Sequence, residues 1–246
     1  MIARIRKKVR GENSASPDAF TLTEILVVVG ILVTLVLLLL PSARSAIDNA
    51  KRSKCVANLR GIAQANSQFM ADTGTLPRYG LFVNGNNTLS WYMALLPYLS
   101  STNSASVQTN TMVFFRSVGW CPAEPRSEIT ATPGGLRHSY GWNAMITGPQ
   151  AGEQPKVAYF ENLSKLFLVA DQKPSVDYRI PALAWNADVS TSLFSSRHRG
   201  VCNLAFADGH VESVALTNLP LRNTTHATPA DQKAAFNAFW YGRPMP

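Results

Sequence analysis

The sequence predicts an α+β protein in which a long N-terminal helix packs on an antiparallel β-sheet head. Three observations lead to this prediction. Residues 25–40 are uncharged and almost entirely apolar, and residues 55–70 repeat apolar side chains at helical spacing. Near the C-terminus, an Asp-Gly pair at 208–209 separates two runs of strand-forming residues. At 246 residues the chain has room for one domain plus an anchor, or for two small domains.

We divide the chain into four segments. Residues 1–19 form a basic leader, 20–41 a transmembrane and assembly helix, 42–74 the amphipathic half of the same helix, and 75–246 a globular head with a C-terminal hairpin and tail. About 19 residues from Leu22, at about 1.5 Å each, nearly cross a hydrocarbon layer of ~30 Å. Basic leader residues favour a cytoplasmic N-terminus. They are Arg4, Arg6, Lys7, Lys8 and Arg10.

The amphipathic half carries a stripe at spacings of three and four residues. It consists of Cys55, Leu59, Ile62, Asn66 and Phe69. Gly74 is expected to end the helix, followed by Pro77. Within the helix, Pro41 lacks a backbone donor, which favours a kink or local melting there.

The sequence of the head predicts short helices and strands separated by polar loops. Residues Trp91 to Leu99 indicate a buried helix, and Met112 to Phe115 and Leu166 to Ala170 indicate strands. The segment from Cys121 to Asn143 is predicted to be a loop. A cap at Thr228-Pro229 predicts a final helix that carries Phe239 and Trp240 in the tail.

The strongest local signal is a hairpin of Val201 to Ala207 with His210 to Val214. Asp208-Gly209 between the two runs predicts a two-residue type I′ turn, because both positions of that turn need positive φ. This register pairs Phe206 with Val211 and places Glu212 on the opposite face of the sheet.

Glu24 is a lone carboxylate at the head of the apolar run. Ionised side chains in hydrocarbon are costly and are functional by default. One hypothesis is that Glu24 meets the free α-amino group of a neighbouring subunit cut before Phe20. The other is that Glu24 lies at headgroup depth and is merely tolerated.

The N-terminal region resembles the type IV prepilin signal of pilins and type II secretion pseudopilins. The basic leader, small Ala19, Phe20, Glu24 and the apolar helix match the family pattern in order and spacing, and Pro41 falls where many pilins carry proline. Ala19 replaces the usual glycine, and Thr23 a more usual aliphatic residue. The resemblance implies cleavage between Ala19 and Phe20 by a prepilin peptidase, at a reduced rate. Methylation of the new amino group and assembly with other pilin or pseudopilin subunits would follow.

The C-terminal part resembles a pseudopilin-like family that carries a His-x9-Asp-Gly signature. Here it stands as His198, nine residues, then Asp208 and Gly209. Other matching positions are Asn58-Leu59-Arg60, Leu95 to Leu99, Cys121-Pro122, Ser139-Tyr140 and Asn143. This resemblance implies a pilin-like head, with the first half of the long helix transmembrane.

Three cysteines, Cys55, Cys121 and Cys202, show no CxxC spacing. Cys121 and Cys202 either pair in an oxidising compartment or remain free buried thiols. We expect no cofactor. The weak metal candidates are His198, Asp208 and His210, with Asp171 a further member.

A hydrogen bond from His198 to the Asp208 turn is the preferred interpretation of that signature. No Gly-x-Ser-x-Gly elbow accompanies Ser195 and His198, so we expect no enzymatic activity.

The formal charge is +8, but much of the excess lies in the leader, so a nucleic-acid partner is not expected. We therefore expect a structural subunit of a type IV pilus or a secretion pseudopilus. It would cross the inner membrane once with its head in the periplasm, and could reach the cell surface within a filament. The alternative is a membrane-anchored binding module for glycan or DNA, on a basic aromatic surface. That surface would comprise Arg137, His138, Tyr140, Trp142, Arg197 and Arg199. An ordinary secretory cut after Ser45 is a further alternative.

Overall fold

The structure is a computed structural model that describes residues 20–78, 80–83, 86–99, 118–124, 138–146, 154–175, 179–180, 194–219 and 230–242. The chain divides into two compact units, Met1–Ala46 and Ile47–Pro246. The leader with Ala19 lies outside the described residues. The predicted strand Met112 to Phe115 and the predicted cap at Thr228-Pro229 also lie outside them.

The N-terminal helix α1 covers Leu22–Thr73. Pro41 lies inside it and the chain stays helical there, so the local melting considered above does not occur. Gly74 ends the helix as predicted, with a φ of +67°. Its N–H donates a hydrogen bond of 2.9 Å to the carbonyl of Met70. Glycine takes this left-handed conformation without steric cost.

In the second unit, α1 buries the predicted stripe. Cys55, Leu59, Ile62 and Asn66 are buried, and Phe69 packs partly buried on the same core. This first core is completed by residues of the next helix and of the sheet. They are Trp91, Leu95, Leu96, Leu168, Val169 and Ala205.

The head contains a small hairpin, a short helix and a five-stranded sheet. The hairpin pairs β1 (Gly80–Val83) with β2 (Asn86–Ser90), and helix α2 (Trp91–Leu99) follows, as predicted. The sheet has the order β5-β3-β4-β6-β7. Its strands are β3 (His138–Asn143), β4 (Phe167–Ser175), β5 (Arg179–Ile180), β6 (Val201–Phe206) and β7 (Val211–Ala215). Strands β3, β4, β6 and β7 are antiparallel neighbours, whereas β5 runs parallel to β3. The predicted α+β layout is therefore confirmed.

The hairpin of β6 and β7 is confirmed, but the predicted turn and register are wrong. Ala205, not Phe206, lies opposite Val211. The Gly209 N–H bonds to the carbonyl of Phe206 at 3.0 Å, and the Phe206 N–H bonds to the carbonyl of His210 at 2.9 Å. Gly209 has a φ of +99° and Asp208 does not have positive φ. This is a type I turn followed by a glycine bulge, with three loop residues instead of two.

The one-residue shift exchanges the two faces of β7. Ser213 lies opposite Asn203, and its hydroxyl donates a hydrogen bond of 2.5 Å to the Asn203 side-chain oxygen. Glu212 lies opposite Leu204, on the same face as Phe206, so the predicted placement of Glu212 on the other face from Phe206 is also wrong.

The second face of the sheet is covered by the tail helix α3, Ala230–Tyr241. Phe239 and Trp240 pack there against Phe167, so the predicted helix is confirmed in this core. Asn143 connects the sheet to α3, because its amide donates hydrogen bonds to the carbonyls of Phe167 at 2.9 Å and Trp240 at 3.0 Å. The sheet thus lies between the C-terminal half of α1 and α3.

Candidate functional site

Glu24 forms a reciprocal capping box with Thr21 at the start of α1. The Glu24 carboxylate accepts hydrogen bonds from the Thr21 backbone N–H and hydroxyl, both at 2.8 Å. In return, the Glu24 N–H donates to Thr21 Oγ1 at 3.3 Å. The Thr-x-x-Glu spacing of residues 21–24 carries this signal, which our reading of the sequence missed.

The part of α1 within the first unit exposes apolar side chains over its whole length. Large hydrophobic residues from Leu22 to Leu40 are between 45% and 81% exposed. Exposure of such an apolar surface to water is unfavourable, so this segment is suited to contact with lipid or with other apolar helices. By length and composition, α1 is a candidate for a single membrane span.

A second candidate site is buried within the head. It consists of Cys55, Cys121, Asp171 and His198, which are all buried and whose ligand-type atoms lie within 4.8 Å of one another. Each residue comes from a different segment of the chain. The cluster exists only because the fold brings these segments together.

Local structure explains how each side chain reaches the cluster. Cys55 belongs to the buried stripe of α1, and Asp171 lies on β4 opposite Tyr140 of β3. Cys121 opens a turn closed by a hydrogen bond from the Glu124 N–H to the Cys121 carbonyl at 3.0 Å. His198 lies in the tight turn before β6, whose Gly200 has a φ of +88°.

The contacts within the cluster are close. The Cys55 thiol donates to Asp171 Oδ1 at 2.9 Å, and Cys121 Sγ lies 3.4 Å from His198 Nε2. His198 Nε2 is 3.7 Å from Asp171 Oδ2. These distances place all four side chains around one small volume.

A further layer of polar groups orients the cluster. Asn203 donates to Asp171 Oδ2 from its backbone N–H at 3.0 Å and from its side-chain amide at 2.8 Å. The Tyr140 hydroxyl donates to Cys55 Sγ at 3.2 Å and accepts a hydrogen bond from the Asn58 amide at 3.3 Å. The resemblance singled out Asn58 and Tyr140, and this network gives both a structural role.

Burial and neighbouring charges shift the pKa values of the cluster in opposite directions. The pKa of Cys121 is lowered to about 4, chiefly by the neighbouring Cys55 thiol and further by His198 and the Arg197 guanidinium. Burial raises the pKa of the Cys55 thiol and also that of Asp171, which Arg197 partly offsets. Cys121 is therefore the thiol that ionises more readily, whereas the neighbouring Cys55 keeps its proton.

The positive charge of Arg197 lowers the pKa values of Cys121 and Asp171. Its guanidinium forms an ion pair of 2.7 Å with Glu124 and donates to the carbonyls of Ser139 at 2.9 Å and Gln172. Desolvation opposes this charge, but attraction from Asp171 and the cysteines raises the pKa of Arg197 overall.

The predicted link between His198 and the Asp208 turn is wrong. Asp208 Oδ1 instead accepts hydrogen bonds from His210, at 2.6 Å from Nδ1 and 3.1 Å from the backbone N–H. Among the described residues, His198 joins Asp171 in a group of metal-ligand type, whereas Asp208 and His210 do not belong to it. The two cysteines of that group were not expected as ligands.

Two other expectations are decided by burial. All three cysteines are free, and Cys202 packs in the second core, so the structure contains no Cys121–Cys202 bridge. The basic aromatic surface considered above is not formed, because Tyr140 and Trp142 are buried in the first core. Arg137 lies outside the described residues.

A cavity of about 90 Å³ adjoins the cluster through His198. Its lining is rich in cationic side chains from α1 and from the turn before β6. They are Lys51, Arg52, Arg197 and Arg199, with Asp48 as the acidic member.

Comparison of this chain with protein-family models, curated proteins and solved structures finds no match.

Proposed function

We propose that this protein is a pilin-like or pseudopilin-like structural subunit. A prepilin peptidase would cleave between Ala19 and Phe20, and methylation would modify the new amino group. The subunit crosses the inner membrane once, with its N-terminus in the cytoplasm and its head in the periplasm. It then assembles with other subunits into a type IV pilus or a type II secretion pseudopilus. The observation that carries this proposal is the lone Glu24 carboxylate at the head of an apolar, exposed helical segment.

The exposed apolar surface of α1 supports assembly as well as anchoring. A helix that is apolar all round suits lipid, and it also suits a filament core built from equivalent helices. Assembly would exchange contacts with lipid for contacts between helices. The remaining specificity must come from the few polar groups of this segment.

Glu24 supplies that specificity without giving up its local hydrogen bonds. Both bonds from Thr21 end on Oε2 of the carboxylate. Oε1 is therefore the oxygen that accepts a bond from the α-amino group of a neighbouring Phe20. Opposite charges attract strongly where water is excluded, and a misaligned subunit would leave a charge buried and unpaired.

The mature N-terminus tests this proposal. The full chain is expressed with and without an active prepilin peptidase, and its intact mass and N-terminal sequence are measured. We expect methylated Phe20 with the peptidase and the complete leader without it. A start at Ala46 would instead indicate ordinary secretion, and a retained leader beside an active peptidase would indicate a plain anchor.

The alternative is a membrane-anchored module that binds a glycan or DNA. The cationic lining of the cavity near His198 favours it, whereas the burial of Tyr140 and Trp142 removes the stacking groups that such a surface needs. Recovery of a polymer sheared from the cell surface would support the assembly function. Monomers that bind an anionic glycan, with no polymer recovered, would support the module.

A further inference from the structure

We propose that Cys55, Cys121, Asp171 and His198 bind a zinc ion inside the head. This site is independent of the assembly role, because all four residues belong to the second unit and none lies in the apolar segment.

The spacing of the ligand atoms fits a tetrahedral ion. Zinc bonds of about 2.0–2.3 Å place neighbouring ligand atoms about 3.3–3.8 Å apart. Cys121 Sγ and His198 Nε2 are 3.4 Å apart, and His198 Nε2 and Asp171 Oδ2 are 3.7 Å apart. All four ligand atoms lie within 4.8 Å of one another. The contact of 2.9 Å between Cys55 Sγ and Asp171 Oδ1 must lengthen when the Cys55 proton leaves, and ligand atoms as far apart as 4.8 Å must move closer when the ion binds.

The donor set selects zinc over the common hard cations. Two thiolates, an imidazole and a carboxylate suit a borderline-soft ion that accepts four ligands. Calcium and magnesium prefer six or more oxygen ligands, which this cluster does not offer. Because all four residues are buried, the site is closed, as structural zinc sites are.

The surroundings also match those of a metal centre. Asn203 holds the Asp171 carboxylate with two hydrogen bonds, and Tyr140 orients the Cys55 sulfur. Partners of this kind commonly fix metal ligands. With zinc bound, two thiolates, a carboxylate and a neutral imidazole leave one net negative charge. Arg197 interacts electrostatically with Asp171, Cys121 and Cys55, and so balances that charge.

A plain hydrogen-bond network explains the cluster less well. Without a metal, the buried Asp171 carboxylate accepts two hydrogen bonds from Asn203 on Oδ2, whereas Oδ1 accepts one from the Cys55 thiol, which is a weak donor. A divalent cation offsets the cost of burying these ionisable groups together.

Bound zinc would connect four separate parts of the head. Cys55 belongs to α1, Asp171 to β4, Cys121 to the 118–124 turn and His198 to the turn before β6. The ion would therefore fasten the long helix and two loops to the sheet. We expect it to act as a structural cross-link that raises the unfolding temperature.

Metal loading of the full chain tests the site. The protein is purified in detergent under anaerobic reducing conditions, stripped with a chelator, and reloaded with zinc or cobalt. We expect about one zinc ion per chain, and cobalt absorption bands of tetrahedral coordination with thiolate ligands. Zinc is also expected to raise the unfolding temperature, and the chelator to reverse that rise.

Matched variants distinguish the buried site from adventitious binding. Cys121→Ser should lose the bound zinc and the thiolate bands, whereas His210→Ala and Cys202→Ala should keep both. If Cys121→Ser fails to fold, the cobalt spectrum of the wild-type chain still decides whether thiolates are ligands. The inference fails if the reduced wild-type chain takes up no zinc, or if His210→Ala alone loses it. It also fails if freshly isolated protein contains a Cys55–Cys121 disulfide, since zinc needs both thiolates.

Discussion

Glu24 combines two properties that substitutions can separate. Its carboxylate is an acceptor for the Thr21 N–H, and it also carries a charge. Glu24→Gln keeps an acceptor and removes the charge, whereas Glu24→Ala removes both. Breaking a buried ion pair costs about 3–5 kcal/mol, so we expect both variants to be inserted and cleaved but to yield few filaments. The measurements are the mature mass and the amount of sheared polymer.

Thr21→Val is the matched control for the Glu24 variants. It removes the hydroxyl that bonds to the Glu24 side chain but leaves the charge in place. Loss of this cap costs about 1 kcal/mol of local helix stability, so filament yield should stay close to that of the wild type. Normal filaments from Glu24→Gln together with failure of Thr21→Val would assign the role to the cap and reject charge pairing.

Asn203 offers a residue-level test of the zinc site that does not remove a ligand. Asn203→Ala deletes one of the two hydrogen bonds to Asp171 Oδ2 and keeps the backbone one. Loss of such a supporting contact lowers metal affinity by about 10–100-fold. Competition with a chromophoric chelator measures this change. Ser213→Ala is the control, because its hydroxyl bonds to Asn203 but not to the cluster; equal affinities in both variants would contradict the role of Asn203.

At the scale of elements, two helices end on glycines that differ in their surroundings. Gly74 ends α1 with a φ of +67° and has open space where a Cβ would lie, whereas Gly242 follows α3 with a φ of +62°. A Cβ on Gly242 would lie 2.9 Å from Phe160 Cδ1 and 3.1 Å from Leu166 Cδ2. Both alanine variants lose about 1–2 kcal/mol to the left-handed backbone.

Overpacking adds about 1–3 kcal/mol at Gly242 only. Gly242→Ala should therefore lower the free energy of unfolding more than Gly74→Ala does. Thermal or denaturant unfolding of the two variants in the same detergent measures the difference. Equal losses would show that Phe160 and Leu166 move aside without cost.

Elements with a strong local pattern could be predicted from the sequence, and β3 could not. The stripe on α1 and the mainly apolar run of β6 before Asp208-Gly209 depend on residues close in the chain. Every residue of β3 is buried, so the segment His138–Asn143 shows no alternation between apolar and polar side chains.

The type of the turn at Asp208-Gly209 could not be predicted, because this dipeptide is compatible with more than one type of hairpin. The bond from the His210 N–H to the Asp208 carboxylate favours the turn with only glycine at positive φ.

The buried cluster was even less accessible to sequence reasoning. Cys55 and Asp171 are 116 residues apart, and Cys121 and His198 are 77 apart. No spacing rule for metal ligands covers such separations, since the ligands meet only through tertiary packing. The His-x9-Asp-Gly signature identified His198, but it paired that residue with the wrong carboxylate.

At the scale of the whole molecule, orientation in the membrane is the property that the assembly proposal requires. The helix α1 is long and apolar enough for one span, and the basic residues of the leader favour a cytoplasmic N-terminus. The long C-terminal part should then be exported. Export would also bring Cys55 and Cys121 into an oxidising compartment, where bound zinc would protect both thiolates from disulfide formation.

Reporter fusions test this orientation. Alkaline phosphatase fused after Pro246 should be active, because it folds only after export, whereas a fluorescent protein that matures in the cytoplasm should stay dark at the same position. Replacing the five basic residues of the leader with glutamine should reduce the exported fraction, since positive charge holds the N-terminus inside. Replacing Glu12 and Asp18 with glutamine is the control, because acidic residues contribute little to orientation. A bright fluorescent fusion with inactive phosphatase would place the head in the cytoplasm and remove the basis for assembly.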